Sequence, residues 1–219
     1  TVFNASKKSI DKLLVTPSNI ADQSQSFAII PSLKKEDLVL RDLGYFCIPA
    51  FRKISEKGAY FISRLKAKVH VHTTEEVLID DLTKYLSTKM GNSTMVEFDG
   101  LLGKNEKYKT RIIAYRIPQS VYDKRIRKLS LKATRSKRVV SKESINFNQY
   151  TIFVTNIPRE CLAAEKIATT YKLRWEIELL FKSFKSNFHI DIIKGQSKTR
   201  VECFIIAKLI AIVISSIFF

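Results

Sequence analysis

The stretch AAEKIATTYKLRWEIELLFKSFKSNF, residues 163–188, determines how the rest of the chain is interpreted. It contains neither Pro nor Gly and is rich in strong helix formers, so it predicts one long helix. At about 100° per residue, four apolar side chains fall within roughly 60° of one another. These residues, Leu173, Ile177, Leu180 and Phe184, predict a stripe that packs into a core.

A second row of side chains lies beside this stripe. Tyr171, Arg174, Glu178 and Lys185 fall within another arc of roughly 60°, centred about 120° from the first. Glu178 is one turn from Arg174, which is close enough for an ion pair. The ordinary interpretation is a surface salt bridge that contributes a few tenths of a kcal/mol. Helical geometry alone leaves that interpretation open beside a functional one.

Upstream of the helix, the best strand candidate ends in an acid. Residues 37–42 form a short branched-apolar run that closes with Asp42, just before Gly44. An Asp at the carboxyl end of a buried strand is where α/β folds place chemistry. An Asp that caps the following turn is an equal alternative. Residues 12–15 and 27–33 predict a strand and a helix before it.

The middle third of the chain is basic and rich in predicted strands. Strands are expected at residues 59–65, 69–71, 95–101, 110–116 and 150–156, with a short helix or edge piece at 74–84. This pattern between two α/β segments predicts an insertion into a parent domain. His70 and His72 are two ordinary strand histidines or, less favoured, a metal pair.

Charge points to a polyanionic partner. The 219 residues carry 38 Lys and Arg against 21 Asp and Glu, a formal net charge of +17. Such an excess favours nucleic acid, although a ribosomal-type protein, a membrane-surface protein or a basic proteome also fits. The densest segment, residues 122–142, is a solvated basic surface or, as we favour, a phosphate contact. Its cations are Lys124, Arg125, Arg127, Lys128, Lys132, Arg135, Lys137, Arg138 and Lys142.

Cysteine content and the last residues bear on location. Cys47, Cys161 and Cys203 are far apart and form no CxxC pair, which predicts buried thiols in a reducing cytoplasm. The apolar run at residues 203–219 is about as long as a short membrane span. Because Lys208 interrupts it, we expect a buried, truncated helix rather than a span. A small membrane-associated basic protein remains the minor alternative.

The spacing Tyr171-x2-Arg174-x3-Glu178-x6-Lys185 resembles the Tyr-Arg-Glu-Lys signature of the type-four group of bacterial insertion-sequence transposases. Neighbouring segments resemble the same family, from about Leu14 onward. They are Tyr-Lys-Leu-Arg-Trp-Glu-Ile-Glu at 171–178 with Phe181-Lys182, Val-Thr-Asn-Ile-Pro at 154–158, Leu-Arg-Asp-Leu-Gly-Tyr-Phe at 40–46 and Phe-Ile-Ser-Arg-Leu at 61–65.

The resemblance implies an α/β fold with a partial ribonuclease-H-like core and a β-rich insertion domain. The implied parts are a core segment at 1–58, the insertion at 59–149 and the rest of the core at 150–219. The family uses an Asp-Asp-Glu triad, of which Asp42 matches the second acid and Glu178 the third. Both are then metal ligands for two Mg²⁺ ions, with Mn²⁺ as a substitute. This metal chemistry cuts and joins DNA strands.

The remaining signature residues are implied to bind DNA. Arg174 and Lys185 are expected to hold backbone phosphates, whereas Tyr171 either adds a hydroxyl contact or only packs the helix. Trp175 is expected to pack. The family also places a displaced base against aromatics of the insertion. The expected partners are double-stranded transposon-end and target DNA and a second copy in a homodimer on DNA, with no membrane and a nucleoid-associated cytoplasmic location.

The first acid of the triad has no match. Asp11 and Asp22 are the only acids ahead of Ile30, and neither has the expected strand context. The sequence is therefore expected to begin after the first Asp, as a fragment or a decayed copy. A non-catalytic basic DNA-binding protein is the main alternative function.

Overall fold

A computed structural model of the protein describes residues 2–4, 9–12, 26–189, 192 and 197–218. The elements, in chain order, are β1 (Val2–Asn4), β2 (Ser9–Lys12), β3 (Leu38–Arg41), α1 (Ile48–Glu56), β4 (Tyr60–Arg64), β5 (Val71–His72), α2 (Leu82–Met90), β6 (Met95–Leu102), β7 (Tyr108–Arg116), α3 (Gln119–Arg135), α4 (Lys142–Phe147), β8 (Tyr150–Thr155), α5 (Ala164–Lys172), α6 (Arg174–Phe188) and α7 (Lys198–Phe218). The chain divides into two compact units, Ala21–Tyr171 and Thr1–Ile20 with Lys172–Phe219.

The larger unit is built on a mixed six-stranded sheet with the order β3-β4-β8-β7-β6-β5. β3 and β4 are parallel, with Arg41 opposite Ser63. Every other neighbouring pair is antiparallel. The smaller unit contains the antiparallel pair of β1 and β2 together with α6 and α7. The predicted α/β class is confirmed at this level.

Both faces of the large sheet are buried. Alternate residues of a strand point to opposite sides, so neighbouring residues of β4 belong to different core clusters. Phe61 belongs to one core cluster, with residues of α1 and α2. Its neighbour Ile62 belongs to the other, with residues of α5. A strand buried on both faces reads as a continuous apolar run, which explains why the middle strands were recognisable from sequence.

A single amide side chain joins three elements where β8 ends. Oδ1 of Asn156 accepts from the backbone N–H of Phe61 in β4 at 2.9 Å. Its Nδ2 donates to Ser55 Oγ in α1 at 2.7 Å and to the Ala59 carbonyl at 2.9 Å. The Asn156 side chain therefore continues the hydrogen-bond ladder past the last residue of β8, where the backbone has left the sheet.

One predicted element upstream of α3 is corrected. Residues 27–33 do not form an α-helix; they contain the short 3-10 helix Ile30–Ser32, with Pro31 near its start. Residues 74–84 contain both of the predicted alternatives. Leu78 forms an antiparallel bridge with His72 at the edge of the sheet, and α2 begins at Leu82, where Asp81 caps it by accepting from the backbone N–H groups of Thr83 and Lys84.

The long helix predicted over residues 163–188 is also corrected: it is two helices, interrupted at Leu173. Leu173 keeps right-handed helical dihedral angles, but its carbonyl accepts from Glu176 N–H, an i to i+3 bond of 3.0 Å that tightens the turn. Leu173 is 44% exposed, so it does not belong to the predicted apolar stripe. No Pro or Gly marks the interruption.

The C-terminal helix α7 is not the buried helix that its apolar run predicted. Phe204, Ile206, Ile210 and Ile214 are each about half exposed. Among the described residues, no helix combines the length and apolar character needed to cross a membrane. Lys208, the lysine within the apolar run, donates to the carbonyls of His189 and Ile192. It therefore binds the backbone that follows α6.

The expected burial of the thiols has a definite outcome, whereas the predicted domain boundaries remain untested. The expected burial of the thiols holds for Cys47 and is wrong for Cys161 and Cys203, which are exposed. The strands of the predicted insertion share one sheet with β3 and β8. The domain boundaries at residues 58/59 and 149/150 therefore coincide with no break in that sheet, and they remain predictions.

Candidate active site

Asp42 follows the last residue of β3 and is exposed. It precedes the 3-10 turn Leu43–Tyr45, and its own carbonyl accepts from Tyr45 N–H at 3.0 Å. The Asp42 side chain makes no capping hydrogen bond to this turn. The capping alternative therefore has no support from the geometry. β3 is not the fully buried strand that was predicted, because Leu38 is 40% exposed and β3 ends the strand order of the sheet.

The residue before Asp42 is a buried cation. Arg41 is 4% exposed, and its Nη2 donates to the Ser26 carbonyl at 2.9 Å. Its guanidinium lies 5.9 Å from the ring centre of Tyr45. Burial lowers the pKa of Arg41, although Cys47 and Tyr45 act in the opposite direction. The side chain thus fixes the end of β3 from inside the unit.

Tyr171, on α5, does not lie on an open surface. It is 8% exposed, and its ring packs edge-on against Phe153 with ring centres 5.1 Å apart. Its hydroxyl donates to the Arg41 carbonyl at 3.0 Å. Of the two roles left open by the sequence, packing is the one that this placement supports, and the DNA contact remains a prediction.

Glu178 lies on α6 and forms the expected pair with Arg174. Arg174 Nη1 donates to Glu178 Oε1 at 2.6 Å, with side-chain exposures of 18% for Arg174 and 42% for Glu178. An exposed pair of this kind contributes at most about 0.5 kcal/mol to stability. Stability alone is therefore a weak reason for this arrangement.

An open groove of about 510 Å³ on α6 combines one carboxylate with two cations. Its lining residues are Glu178, Phe181, Lys182, Lys185 and Ser186. Lys182 was not among the predicted site residues, although a helical angle of about 40° from Glu178 puts it on the same face. Trp175, expected to pack, is instead 55% exposed. On α6 it lies about 180° from Phe184, which is buried.

Asp42 and Glu178 belong to different compact units, so their joint binding of a metal remains a prediction. In the part of the chain that the structure describes, no group of three or more His, Cys, Asp or Glu side chains is arranged to hold a metal ion. His72 lies in β5 and is buried, whereas His70 precedes the strand and is exposed. The expectation that both histidines lie on a strand is therefore correct for His72 and wrong for His70.

The donor chemistry fits Mg²⁺. This ion takes one or two protein carboxylates and completes its shell with water and phosphate. Asp42 is exposed and the Glu178 side chain is 42% exposed, so both carboxylates can meet a hydrated ion. Arg174 donates to Oε1 of Glu178. Because a carboxylate has two oxygens, this hydrogen bond is compatible with metal binding by the same side chain.

The predicted basic segment is mostly the helix α3. Its partly buried side is formed by Tyr122, Ile126, Leu129 and Ala133. Arg125, one of the cations predicted to be solvated or to contact phosphate, instead donates to the Tyr150 carbonyl at 3.0 Å and to Thr151 Oγ1 at 2.7 Å. Arg125 therefore anchors α3 to β8.

The opposite side of α3 is a cationic stripe, which we define as Lys124, Lys128 and Arg135. All three are exposed. Their helical angles fall within about 40°, and they extend over roughly 16 Å of helix. The acid of this helix, Asp123, accepts a hydrogen bond from Gln119 at 2.8 Å.

Comparison with known proteins covers almost the whole chain. A family model described as transposase DDE domain matches residues 1–214. The transposases for insertion sequence elements IS231F and IS231C, both from Bacillus thuringiensis, are 28% and 31% identical over 217 residues, or 92% of this chain and 46% and 45% of theirs. The IS1151 transposase of Clostridium perfringens is 27% identical over 197 residues, with coverages of 83% and 41%. The chain thus spans about half the length of these relatives.

Proposed function

Since this chain belongs to the transposase DDE domain family, we propose that it is part of an enzyme that cuts and transfers the DNA strands of an insertion sequence. The observation that carries the proposal is the family match together with the groove on α6, which Glu178 and Lys185 of the signature both line. Because the relatives are about twice as long, the reaction is proposed for a protein that contains this chain.

In this proposal, Asp42 and Glu178 hold two Mg²⁺ ions, for which Mn²⁺ substitutes. Bound there, the ions would supply activation of the attacking oxygen and stabilisation of the leaving oxygen in a phosphodiester displacement. Arg174 orients the Glu178 carboxylate through the bond to Oε1. Lys185 and Arg174 attract the DNA backbone by their charge. A ribonuclease-H-like core with an inserted β-rich segment is the finer fold that accompanies this function, and the mixed sheet is consistent with it.

The partners follow from the same proposal. They are double-stranded transposon-end and target DNA and a second copy of the protein in a homodimer on DNA. Such an enzyme acts where the chromosome lies, in the nucleoid. The net charge of +17 supports binding to DNA.

Localised oxidation tests the metal assignment on this chain directly. Fe²⁺ in place of Mg²⁺, with ascorbate and peroxide, generates radicals that cut the polypeptide near the bound ion. We expect cuts close to both Asp42 and Glu178 in the presence of DNA, and their loss in both Asp42→Ala and Glu178→Ala. Cuts near only one of these residues, or none, contradict a shared metal site.

The chain by itself is expected to have little or no strand-transfer activity, because Asp42 and Glu178 correspond to two of the three acids of the triad and leave the metal site incomplete. The measurement is an incubation of the purified 219-residue chain with a transposon-end duplex and Mg²⁺. Strand cleavage above the level of a Glu178→Ala sample contradicts this expectation. Retained DNA binding without cleavage is the expected result.

We also expect the cationic stripe of α3 to contact phosphates. Each phosphate contact contributes about 0.9 to the slope of log K against log salt concentration. Alanine at Lys124, Lys128 and Arg135 is therefore expected to reduce that slope by about 2–3 and to weaken binding equally for all sequences. Fluorescence anisotropy with duplex DNA across a salt series measures both effects.

The matched control for the cationic stripe removes three exposed cations elsewhere in the same unit: Lys57, Lys66 and Lys104. If alanine at these positions changes the slope as much as alanine on the stripe, the effect belongs to net charge. A specific contact by α3 is then excluded.

A further inference from the structure

Residues 156–163 connect β8 to α5, the helix that carries Tyr171. The N–H groups of Cys161 and Leu162 both donate to the Pro158 carbonyl, at 3.1 and 3.2 Å. These bonds close a turn inside the connection, but they do not attach it to the sheet. The direction of α5 therefore depends on contacts that the connection makes with neighbouring strands.

A buried arginine of β7 makes such contacts. Arg111 is 5% exposed, and its Nη1 donates to the Leu162 carbonyl at 2.7 Å and to the Ile157 carbonyl at 3.3 Å. Arg111 points to the sheet face on which α5 packs, because Ile113, two residues further along β7, belongs to the core cluster with Ile167 of α5. One guanidinium nitrogen thus holds the connection near both of its ends.

Glu97 of β6 holds the guanidinium of Arg111 in place. Arg111 Nε donates to Glu97 Oε1 at 2.7 Å and Nη2 donates to Oε2 at 3.2 Å, with side-chain exposures of 4% and 19%. Burial raises the pKa of Glu97, but its bonds and attraction to Arg111 and Arg159 lower that pKa further, to below its usual value. The carboxylate is therefore charged at neutral pH, and the bidentate pair fixes the plane of the guanidinium.

A second arginine closes the group from the solvent side. Arg159, within the connection, donates to both carboxylate oxygens of Asp99, at 2.9 and 3.2 Å, and forms an ion pair with Glu97. We call these four residues the charged clamp: Glu97, Asp99, Arg111 and Arg159. Two acids of β6 therefore bind one arginine of β7 and one of the connection.

Fold stability is a weak reason for a charge at Arg111. A buried ion pair can often be replaced by apolar side chains with no loss of stability, or with a gain. An apolar residue at this position could not donate to the Ile157 and Leu162 carbonyls. What the guanidinium adds is the placement of the connection, and with it the direction of α5.

The far end of α5 reaches the second acid of the proposed site. α5 has nine residues, which corresponds to a length of about 13 Å. Near its end the Tyr171 hydroxyl donates to the Arg41 carbonyl at 3.0 Å, one residue before Asp42. Displacements of about 1 Å are costly for catalysis, so a rotation of α5 about its start matters at Tyr171.

We propose that Arg111 is a positioning residue for Tyr171: held by Glu97, its guanidinium fixes the start of α5 and thereby the place of the tyrosine beside Asp42. The proposal rests on the proposed function in one respect, that Asp42 and Tyr171 belong to a site that processes DNA. It applies to a DNA contact of the Tyr171 hydroxyl as well as to its bond with Arg41, because both depend on where α5 lies.

Hydrogen exchange tests the role of Arg111 directly. Lys at this position keeps the charge but lacks the planar fork of donors, so it cannot bind Glu97 and both carbonyls together. Arg111→Lys is expected to raise exchange at the amides of Cys161, Leu162 and Lys166 roughly two- to tenfold, the effect of losing about one hydrogen bond. Unchanged exchange at these amides overturns the proposal.

Arg116→Lys is the matched control. Arg116 lies on the same strand and is exposed, and its Nη2 donates to a carbonyl elsewhere, that of Gly91 at 3.4 Å. This variant is expected to leave the amides of the connection unchanged. An equal rise in both variants, or a rise of the same size in the α1 amides, means a general loosening and overturns the proposal.

A second pair of variants separates positioning from stability. Arg111→Met alone leaves Glu97 without its buried counterion and is expected to lower the urea midpoint of unfolding. Adding Glu97→Gln removes that charge and is expected to restore most of the midpoint, while exchange in the connection stays as fast as in Arg111→Lys. If exchange recovers together with the midpoint, Arg111 acts through stability, and the proposal is overturned.

Cleavage and DNA binding complete the test, in a version of the protein that carries all three acids. The double variant Arg111→Met with Glu97→Gln is expected to cleave a transposon-end duplex at least about tenfold more slowly in a single turnover. Cleavage within about threefold of the unsubstituted protein overturns the proposal. The salt slope of DNA binding is expected to stay unchanged, whereas a decrease of about 0.9 indicates a phosphate contact by Arg111 itself and also overturns it. Normal cleavage by Glu178→Gln instead contradicts the proposed function, and the exchange result then still decides whether Arg111 fixes α5.

Discussion

Glutamine at Glu178 is expected to lower metal-dependent cleavage of a transposon-end duplex by at least about 100-fold, in a version of the protein that carries all three acids. Gln keeps the size of the side chain and removes its charge, which weakens the hold on a divalent cation. Even residues that only hydrogen-bond a metal ligand typically lower metal affinity or activity 10–100-fold when they are mutated. Single-turnover cleavage with saturating DNA and Mg²⁺ measures the effect.

The fold and the DNA affinity are expected to survive this substitution. The Arg174–Glu178 pair is 42% exposed on the Glu178 side, so its loss costs at most about 0.5 kcal/mol. Glu176→Gln, on the same helix and partly buried, is the matched control and is expected to cleave normally. Cleavage by Glu178→Gln within about threefold of the unsubstituted protein excludes Glu178 as a metal ligand. Parallel loss of cleavage and binding favours the non-catalytic alternative.

Alanine at Phe61 is expected to reduce the free energy of unfolding of the larger unit by about 3–5 kcal/mol, the usual cost of Phe to Ala in a core. Phe61 is 0% exposed, and its ring stacks on Phe51 with centres 4.3 Å apart and planes 3° apart. Such a loss is a large share of the roughly 5–15 kcal/mol that stabilise an ordinary domain.

Urea unfolding followed by circular dichroism measures the loss at Phe61. The control is Leu131→Ala on α3, where Leu131 is 56% exposed, and a change within about 0.5 kcal/mol is expected there. A cost of less than about 1 kcal/mol for Phe61→Ala contradicts the full burial of Phe61 in the core cluster that it shares with α1 and α2.

The strands of the large sheet could be predicted because their chemistry is local. The segments around Ile62, Ile112 and Phe153 consist mostly of β-branched and aromatic residues, whichever face of the sheet each residue occupies. This composition predicts a strand without knowledge of the helices that cover the sheet. The signature was equally visible, since four residue types at fixed spacing need no three-dimensional information. Fold class and family therefore followed from sequence.

The contacts of the signature residues could not be predicted in the same way. A helical wheel assumes continuous geometry, and the tightened turn at Leu173 separates Tyr171 from Arg174 without any Pro or Gly to announce it. The partner of Tyr171 is a backbone carbonyl 130 residues away, which carries no side-chain identity to recognise. Lys182, by contrast, could have been predicted as a site residue from the helical wheel, because it lies on the same face of the helix as Glu178.

The amide of Asn156 has a consequence for how this region can vary. One acceptor and two donors are used at once, toward Phe61, Ser55 and Ala59. Asp keeps the acceptor and loses the donors, whereas Gln has the groups but an extra methylene. The position is therefore nearly closed to substitution for reasons of assembly alone, and a mutational scan that finds it intolerant should not count it among the residues of the reaction.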